Sequence, residues 1–149
     1  MDLELVQRLI TQDGDFTAVM DPPVLVVTSE DTSSSFVVEI FGESYQVRQG
    51  VAPAAEELTD EQVAILLQLC STVNERFTGC KNLIDKWGML QTMSDILGPI
   101  SEIGPLKVVL GQVEYVSLAM LDLYQIVQDE ERLPTEAEID EALEVPEVH

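Results

Sequence analysis

Few side chains in this sequence could do chemistry, and their spacing limits what that chemistry could be. The one histidine is His149, at the last position, where no surrounding shell can hold it against a serine or cysteine nucleophile. Cys70 and Cys80 have nine residues between them, which fits neither a zinc knuckle nor a Cys-x-x-Cys redox pair. They are expected as two reduced, buried or half-buried thiols. Carboxylates are abundant, but abundance is not arrangement. Asp13 and Asp15 flank Gly14 in QDGDF as in the start of a calcium loop, yet the later ligands and the closing glutamate are missing, so a turn with solvated acids is expected. The pairs Glu56-Glu57 and Asp60-Glu61 fall at a helix start, where they serve the helix dipole. Neither a Gly-x-x-x-x-Gly-Lys-Ser/Thr loop nor a Gly-x-Gly-x-x-Gly turn occurs. The expectation is therefore no catalytic site, no metal and no cofactor: a protein that is not an enzyme.

What remains is charge. The chain has a formal net charge of −21, with 28 acidic residues against 7 Lys and Arg. The charge is uneven: residues 76–128 hold five acids and four bases, whereas the stretch DEERLPTEAEIDEALEVPEVH at 129–149 sets nine carboxylates against Arg132 alone. The near-neutral middle coincides with the most apolar sequence, which suits a core or an interface wrapped by charged ends. A field of this sign repels phosphate backbones and anionic lipid, so direct nucleic-acid or membrane binding is disfavoured; a protein partner with a basic surface, or simple solubility, is what remains. The apolar stretch GPLKVVLGQVEYVSLAMLDLYQIV is interrupted by Lys107, Gln112, Glu114 and Asp122, too often for a membrane span. The N-terminus carries acids where a secretory signal needs bases. A cytoplasmic protein of bacterial or phage origin is expected, or a virion protein if phage-encoded.

The elements that must position these residues are read from periodicity. With 149 residues and 46% apolar content, the chain can bury a substantial core. We expect one globular domain over 1–133 and an acidic tail over 134–149. Leu3, Val6, Leu9 and Ile10 predict a short amphipathic helix ending near Gly14. PPVLVVT and SSSFVVEIFGESYQVRQG predict strands, the second stretch a hairpin turning at Gly42-Glu43-Ser44, with a further strand at 15–20 giving three or four in all. Thr59 and Gln62 form a capping-box pattern, and Val63, Leu66, Leu67, Cys70, Val73 and Phe77 continue it as a helical face. Leu83, Trp87, Leu90, Met93, Ile96 and Leu97 predict a second long helix over 81–97, despite Gly88 in its middle. A third is expected from Pro105 through Val127, with strand as the alternative for KVVLGQVEYVSL. Pro134, Thr135 and Glu138 repeat the capping pattern ahead of Ile139, Ala142 and Leu143, so the tail encodes a short helix whose apolar ridge docks on its own domain or is presented to a partner. The fold class is α+β: a short N-terminal helix, a small antiparallel sheet, two or three long amphipathic helices and a short acidic C-terminal helix.

The candidate partner-binding residues are the large apolar ones on these faces: Leu66, Phe77, Trp87, Met93, Met120, Tyr124, Ile139 and Leu143. For Trp87 the first reading is a core anchor and the second an interface anchor, since tryptophan is enriched in both settings. The methionines likewise fill core gaps more often than they line adaptable grooves.

The order of elements carried by MDLELVQRLI, PPVLVVT, SSSFVVEIFGESYQVR and TDEQVAILLQLC resembles that of small acidic type III secretion chaperone-like bacterial proteins. The resemblance covers residues 1–75; the helical reading of 81–130 departs from the return to strands that class would show. It implies a dimer that holds an extended segment of a client protein. The functional reading is a protein-binding adaptor or chaperone that holds its partner through an apolar groove. The alternatives are a phage virion or tail-assembly component, and a phage-encoded acidic DNA mimic that inhibits a host defence protein.

Overall fold

The computed structural model describes residues 2–144. In chain order the elements are α1 (Leu3–Asp13), β1 (Phe16–Asp21), β2 (Val24–Ser29), β3 (Ser35–Phe41), β4 (Ser44–Ala52), α2 (Ala54–Glu57), α3 (Asp60–Arg76), β5 (Lys81–Ile84), β6 (Leu90–Leu97), α4 (Ile103–Glu130) and α5 (Glu136–Ala142). The fold is α+β, and its antiparallel sheet has six strands in the order β1-β2-β3-β4-β6-β5. Two expectations are corrected together here: the sheet has six strands rather than three or four, and residues 81–97 are a hairpin rather than a helix. The apolar positions of that stretch recur every three or four residues, but Gly88 adopts φ +82. A left-handed residue there closes a turn and ends any helix.

The remaining elements form for local reasons that the sequence announces. Asp2 caps α1 by accepting from the Glu4 amide at 2.8 Å, and Gly14 closes it at φ +85. The β3–β4 hairpin turns over Gly42-Glu43, with Phe41 opposite Ser44. Thr59 and Gln62 form the expected capping box on α3, and Thr135 and Glu138 form its counterpart on α5. The strand alternative for 107–118 falls, because α4 runs unbroken for 28 residues through Gly111.

The chain forms two compact units, Met1–Gln49 with Met93–Glu114, and Gly50–Thr92 with Tyr115–His149. In the first, α1 packs on β1 and β2. Strand registers such as Leu25 opposite Val38 and Val38 opposite Val47 place alternate side chains on one buried face. Val6 and Ile10 from α1 and Leu106, Leu110 and Val113 from α4 are buried in the same unit. Asp13 and Asp15, read from sequence as a solvated turn, both pair with Lys107, at 3.1 and 2.5 Å. That lysine lowers the Asp15 pKa, first by its hydrogen bond and then by its charge.

In the second unit, Gln62 does more than complete the cap. Its Oε1 accepts from the Thr59 amide at 2.8 Å while its Nε2 donates to the carbonyls of Val127 and Gln128 at 3.3 and 3.1 Å. α5 is held by several contacts: Ile139 is buried, Arg76 pairs with Asp140, Arg132 pairs with Glu138 at 2.7 Å, and the Tyr115 hydroxyl donates to the Leu143 carbonyl at 2.6 Å. The ridge encoded by the acidic tail is thus docked within its own unit. The end of the tail, residues 145–149 with His149, lies outside the described residues.

Candidate apolar groove beside an edge strand

Both candidate features lie in the second unit. Between α3 and β5 runs an open groove of about 430 Å³, lined by Leu67, Cys70, Ser71, Asn74 and Glu75 from the helix and Asn82, Leu83 and Ile84 from the strand. Leu67 is 52% exposed, on the same helix as buried Leu66, Leu69 and Cys70. Burial raises the Cys70 thiol to about 12 and the Cys80 thiol to about 11, so neither is a ready nucleophile near neutral pH. Among the described residues, no group of three His, Cys, Asp or Glu side chains is placed to hold a metal ion. The groove offers apolar surface, two carboxamides, a hydroxyl, the buried Cys70 thiol and the Glu75 carboxylate.

The strand side of the groove is fixed by asparagines. Asn74 Oδ1 accepts from the Asn82 amide at 2.7 Å, and Asn74 Nδ2 donates to the Asn82 carbonyl at 3.0 Å. The Asn82 side chain is held in turn: its Nδ2 donates to Asn74 Oδ1 at 3.0 Å and its Oδ1 accepts from the Thr92 hydroxyl at 2.7 Å. Asn82 and Thr92 are both buried, so the polar groups of this network must satisfy one another.

The second feature is the β5–β6 turn. Asp85 Oδ1 accepts from the amides of Trp87 and Met89 at 2.9 and 3.0 Å, and Asp85 Oδ2 accepts from Gln91 at 2.6 Å. The Gly88 carbonyl accepts from the Ala55 amide at 3.0 Å. A Cβ on Gly88 would lie 2.2 Å from that of Ala55. This rigid turn holds Trp87 78% exposed, with Lys86 Nζ 4.4 Å from its ring centroid. The first sequence reading of Trp87, as a core anchor, is thereby corrected: the side chain stands on the surface.

The predicted binding residues fall into distinct places. Leu66, Met120, Tyr124 and Ile139 are buried in the second unit; Phe77, at the end of α3, and Leu143 are half-buried there, and Trp87 is exposed. Met93 is half-buried and belongs to the first unit. Tyr124 donates to Glu57 at 2.8 Å, and burial followed by that hydrogen bond raises its pKa. Sequence reasoning missed Asn74, Asn82, Leu83 and Ile84 as groove-forming residues, because a helix over 81–97 has no edge. One available signal was Asp85 followed by Gly88 at i+3, a turn pattern.

No protein-family model matches the chain, and no curated protein matches it. Solved structures do. YbjN from E. coli, proposed as a transcription regulator, superposes with TM-score 0.60 at 13% identity, over 91% of this chain and 97% of that one. A chain of the ExsC–ExsE complex superposes with TM-score 0.55 at 17% identity, over 91% of this chain and 99% of that one. The likeness is one of fold, and at that level the class resemblance to type III secretion chaperone-like proteins stands. Among the described residues no helix is long and apolar enough to cross a membrane.

Proposed function

We propose that this protein is a non-enzymatic adaptor or chaperone of the cytoplasm that holds a partner protein in the groove between α3 and β5. The observation that carries the reading is the groove itself, with Leu67 exposed at its rim and Trp87 held out on the same hairpin as its strand wall. Interface energy concentrates in large anchors whose geometry is fixed before binding, because less freedom is then lost. The backbone that carries Trp87 meets that condition through Asp85, Gly88 and Ala55. The fold likeness to a chain from a two-protein complex supports carrying partner-holding to this chain. The reading includes a homodimer, a functional body over 1–133 and a solubilising acidic tail over 134–149.

The test is affinity capture of the tagged full-length protein from its native host, eluted in a salt gradient, in parallel with Leu67→Asp and Trp87→Ala variants whose circular dichroism matches wild type. A partner that survives high salt on the wild type and is lost from both variants is expected. The same partner retained by both variants would sink the groove reading. Loss of a nucleic-acid-handling partner at moderate salt would favour the DNA-mimic alternative, since exposed charge pairs are screened within about 8–10 Å.

A further inference from the structure

The seven residues of α5 are fewer than the roughly 12–15 that a helix needs to persist alone in water, so its helicity depends on what it rests against. It lies along α4, where Asp122, Leu123 and Ile126 share a cleft with its Glu138, Glu141 and Ala142. Ile139 is its buried side chain, and the acids on either side of that residue each meet an arginine. Arg132 grips Glu138 with both terminal nitrogens, at 2.7 and 2.9 Å, and Arg76 from the end of α3 pairs with Asp140. Arg132 also touches Glu130 at 3.2 Å. The Tyr115 hydroxyl fixes the far end of the helix through the Leu143 carbonyl. The surface under α5 is therefore an apolar slot between two arginines. It recognises a carboxylate, a branched apolar side chain and a carboxylate at consecutive helical positions. That α5, with its four carboxylates, sits there shows that the surface accepts an acidic helix despite the net charge of the chain.

The hold is a loose one. The ion pairs leave the Asp140 side chain 69% and the Arg132 side chain 39% exposed, so each adds little. Beside Ile139 the helix has only alanines, Ala137 and Ala142, where larger side chains would add contact. Leu118, three residues from Tyr115 and four from Asp122 and so their neighbour on α4, is left 57% exposed. A helix that kept the order acid, apolar, acid and carried a bulkier neighbour would cover that leucine as well. A second copy of this chain offers only another α5, which gains no contact by leaving its own identical seat and brings a second charge of −21 with it. We infer that α5 is a detachable strap over a docking site separate from the α3–β5 groove, and that this site takes an acidic amphipathic helix of a different protein, which binds by displacing the strap.

The experiment adds a synthetic peptide, LPTEAEIDEALE, the sequence of residues 133–144, to the isotope-labelled full-length protein and follows its amide signals by NMR. Wild type is compared with Ile139→Asp, whose own strap is disabled. The peptide should shift the amides of Leu123 and Ile126 and bind Ile139→Asp at least about tenfold more tightly than wild type, in which the tethered copy competes at high effective concentration. A Glu138→Lys/Asp140→Lys protein, whose strap is repelled by the arginines, should bind the peptide as Ile139→Asp does. Adding Arg76→Glu/Arg132→Glu to Ile139→Asp should weaken the peptide about tenfold. Leucine in place of the alanine that matches Ala142 should tighten it about three- to tenfold, a gain that Leu118→Asp removes. In wild type the α5 amides should exchange with solvent at least about tenfold faster than those in the middle of α4. Equal affinity for wild type and the strap variants, no binding to either strap variant, or affinity indifferent to the arginine changes overturns the inference. So does a leucine peptide no tighter than the native one, or α5 exchange that requires global unfolding. A wild-type dimer that Ile139→Asp dissolves also overturns it, because α5 would then be exchanged between copies. Leu67→Asp, in the α3–β5 groove, should leave the peptide unaffected, so failure here leaves the groove reading standing.

Discussion

Replacing Gly88 by alanine tests whether the β5–β6 turn is as tightly built as its geometry requires. The residue sits at φ +82, where an L side chain costs about 1–2 kcal/mol. The new methyl would lie 2.2 Å from the Ala55 Cβ, so α2 or the turn must move. Relieving such an overlap costs about 1–3 kcal/mol. Movement also breaks the Ala55 amide bond to the Gly88 carbonyl, worth about 0.5–1.5 kcal/mol. The expected destabilisation is about 3–5 kcal/mol, a drop of about 6–20 °C in Tm for a chain of this length. The assay is urea unfolding followed by far-ultraviolet circular dichroism, with Ala55→Gly and the double variant completing a cycle. Ala55→Gly removes the obstructing methyl but not the unfavourable φ, so the double variant should be about 1–3 kcal/mol more stable than the two single losses summed. A Gly88→Ala protein within about 0.5 kcal/mol of wild type, a size typical of neutral surface changes, would refute the close approach. So would a strictly additive double variant.

Asn74→Ala should destabilise by about 1–3 kcal/mol, the cost of leaving buried polar groups unpaired, with hydrogen exchange rising at the Asn82 amide; unchanged exchange would show that water replaces the carboxamide without loss. Trp87 should emit as a solvated indole and be quenched by acrylamide in the native state almost as strongly as in urea, whereas a shielded native emission would mean that the turn is covered by another chain. Cys70 and Cys80, raised by burial to about 12 and about 11, should resist a disulfide reagent until the protein is unfolded. Because the folded state keeps protons that the unfolded thiols release, their contribution is complete below about pH 9 and stability falls as pH rises from there toward 12; a flat profile would contradict their burial. The Arg132 hydrogen bond, followed by the Thr135 amide, lowers Glu138 to about 2. Its contribution is therefore present above about pH 4.5 and lost as pH falls through about 2, so a Glu138→Gln variant should lose this step from the acid unfolding curve, and an identical curve would count against the pairing.

The parts of the fold that are legible in the sequence are those whose causes lie within a few residues. The two capping boxes are closed by side chains three positions apart, Thr59 with Gln62 and Thr135 with Glu138, and the β3–β4 hairpin turns on adjacent Gly42 and Glu43. The β5–β6 hairpin escapes a reading by periodicity because Leu83, Trp87, Leu90 and Met93 keep a helical spacing that their surroundings override. Of its fixing contacts only the Asp85 turn is local; Gly88 is pressed by Ala55, a residue 33 positions earlier. Partner residues chosen for size and apolarity alone include Leu66, Met120, Tyr124 and Ile139, which the unit buries, while the neighbouring Leu67 is left on the surface. The Asn74–Asn82 pairing has no sequence signature, since it exists only once β5 is an edge strand lying against α3.

The two-ended role of Gln62 bears on how the second unit opens. One amide side chain closes the first turn of α3 and hooks the last carbonyls of α4, so fraying at either helix end releases the same group. Helix termini ordinarily open independently and at little cost. Here the start of one and the end of the other share a side chain, so opening either end takes hydrogen bonds from the residue that holds the other. The hydrogen bond from Gln62 to Val127 thus ties the end of α4 to a helix start 65 residues earlier in sequence.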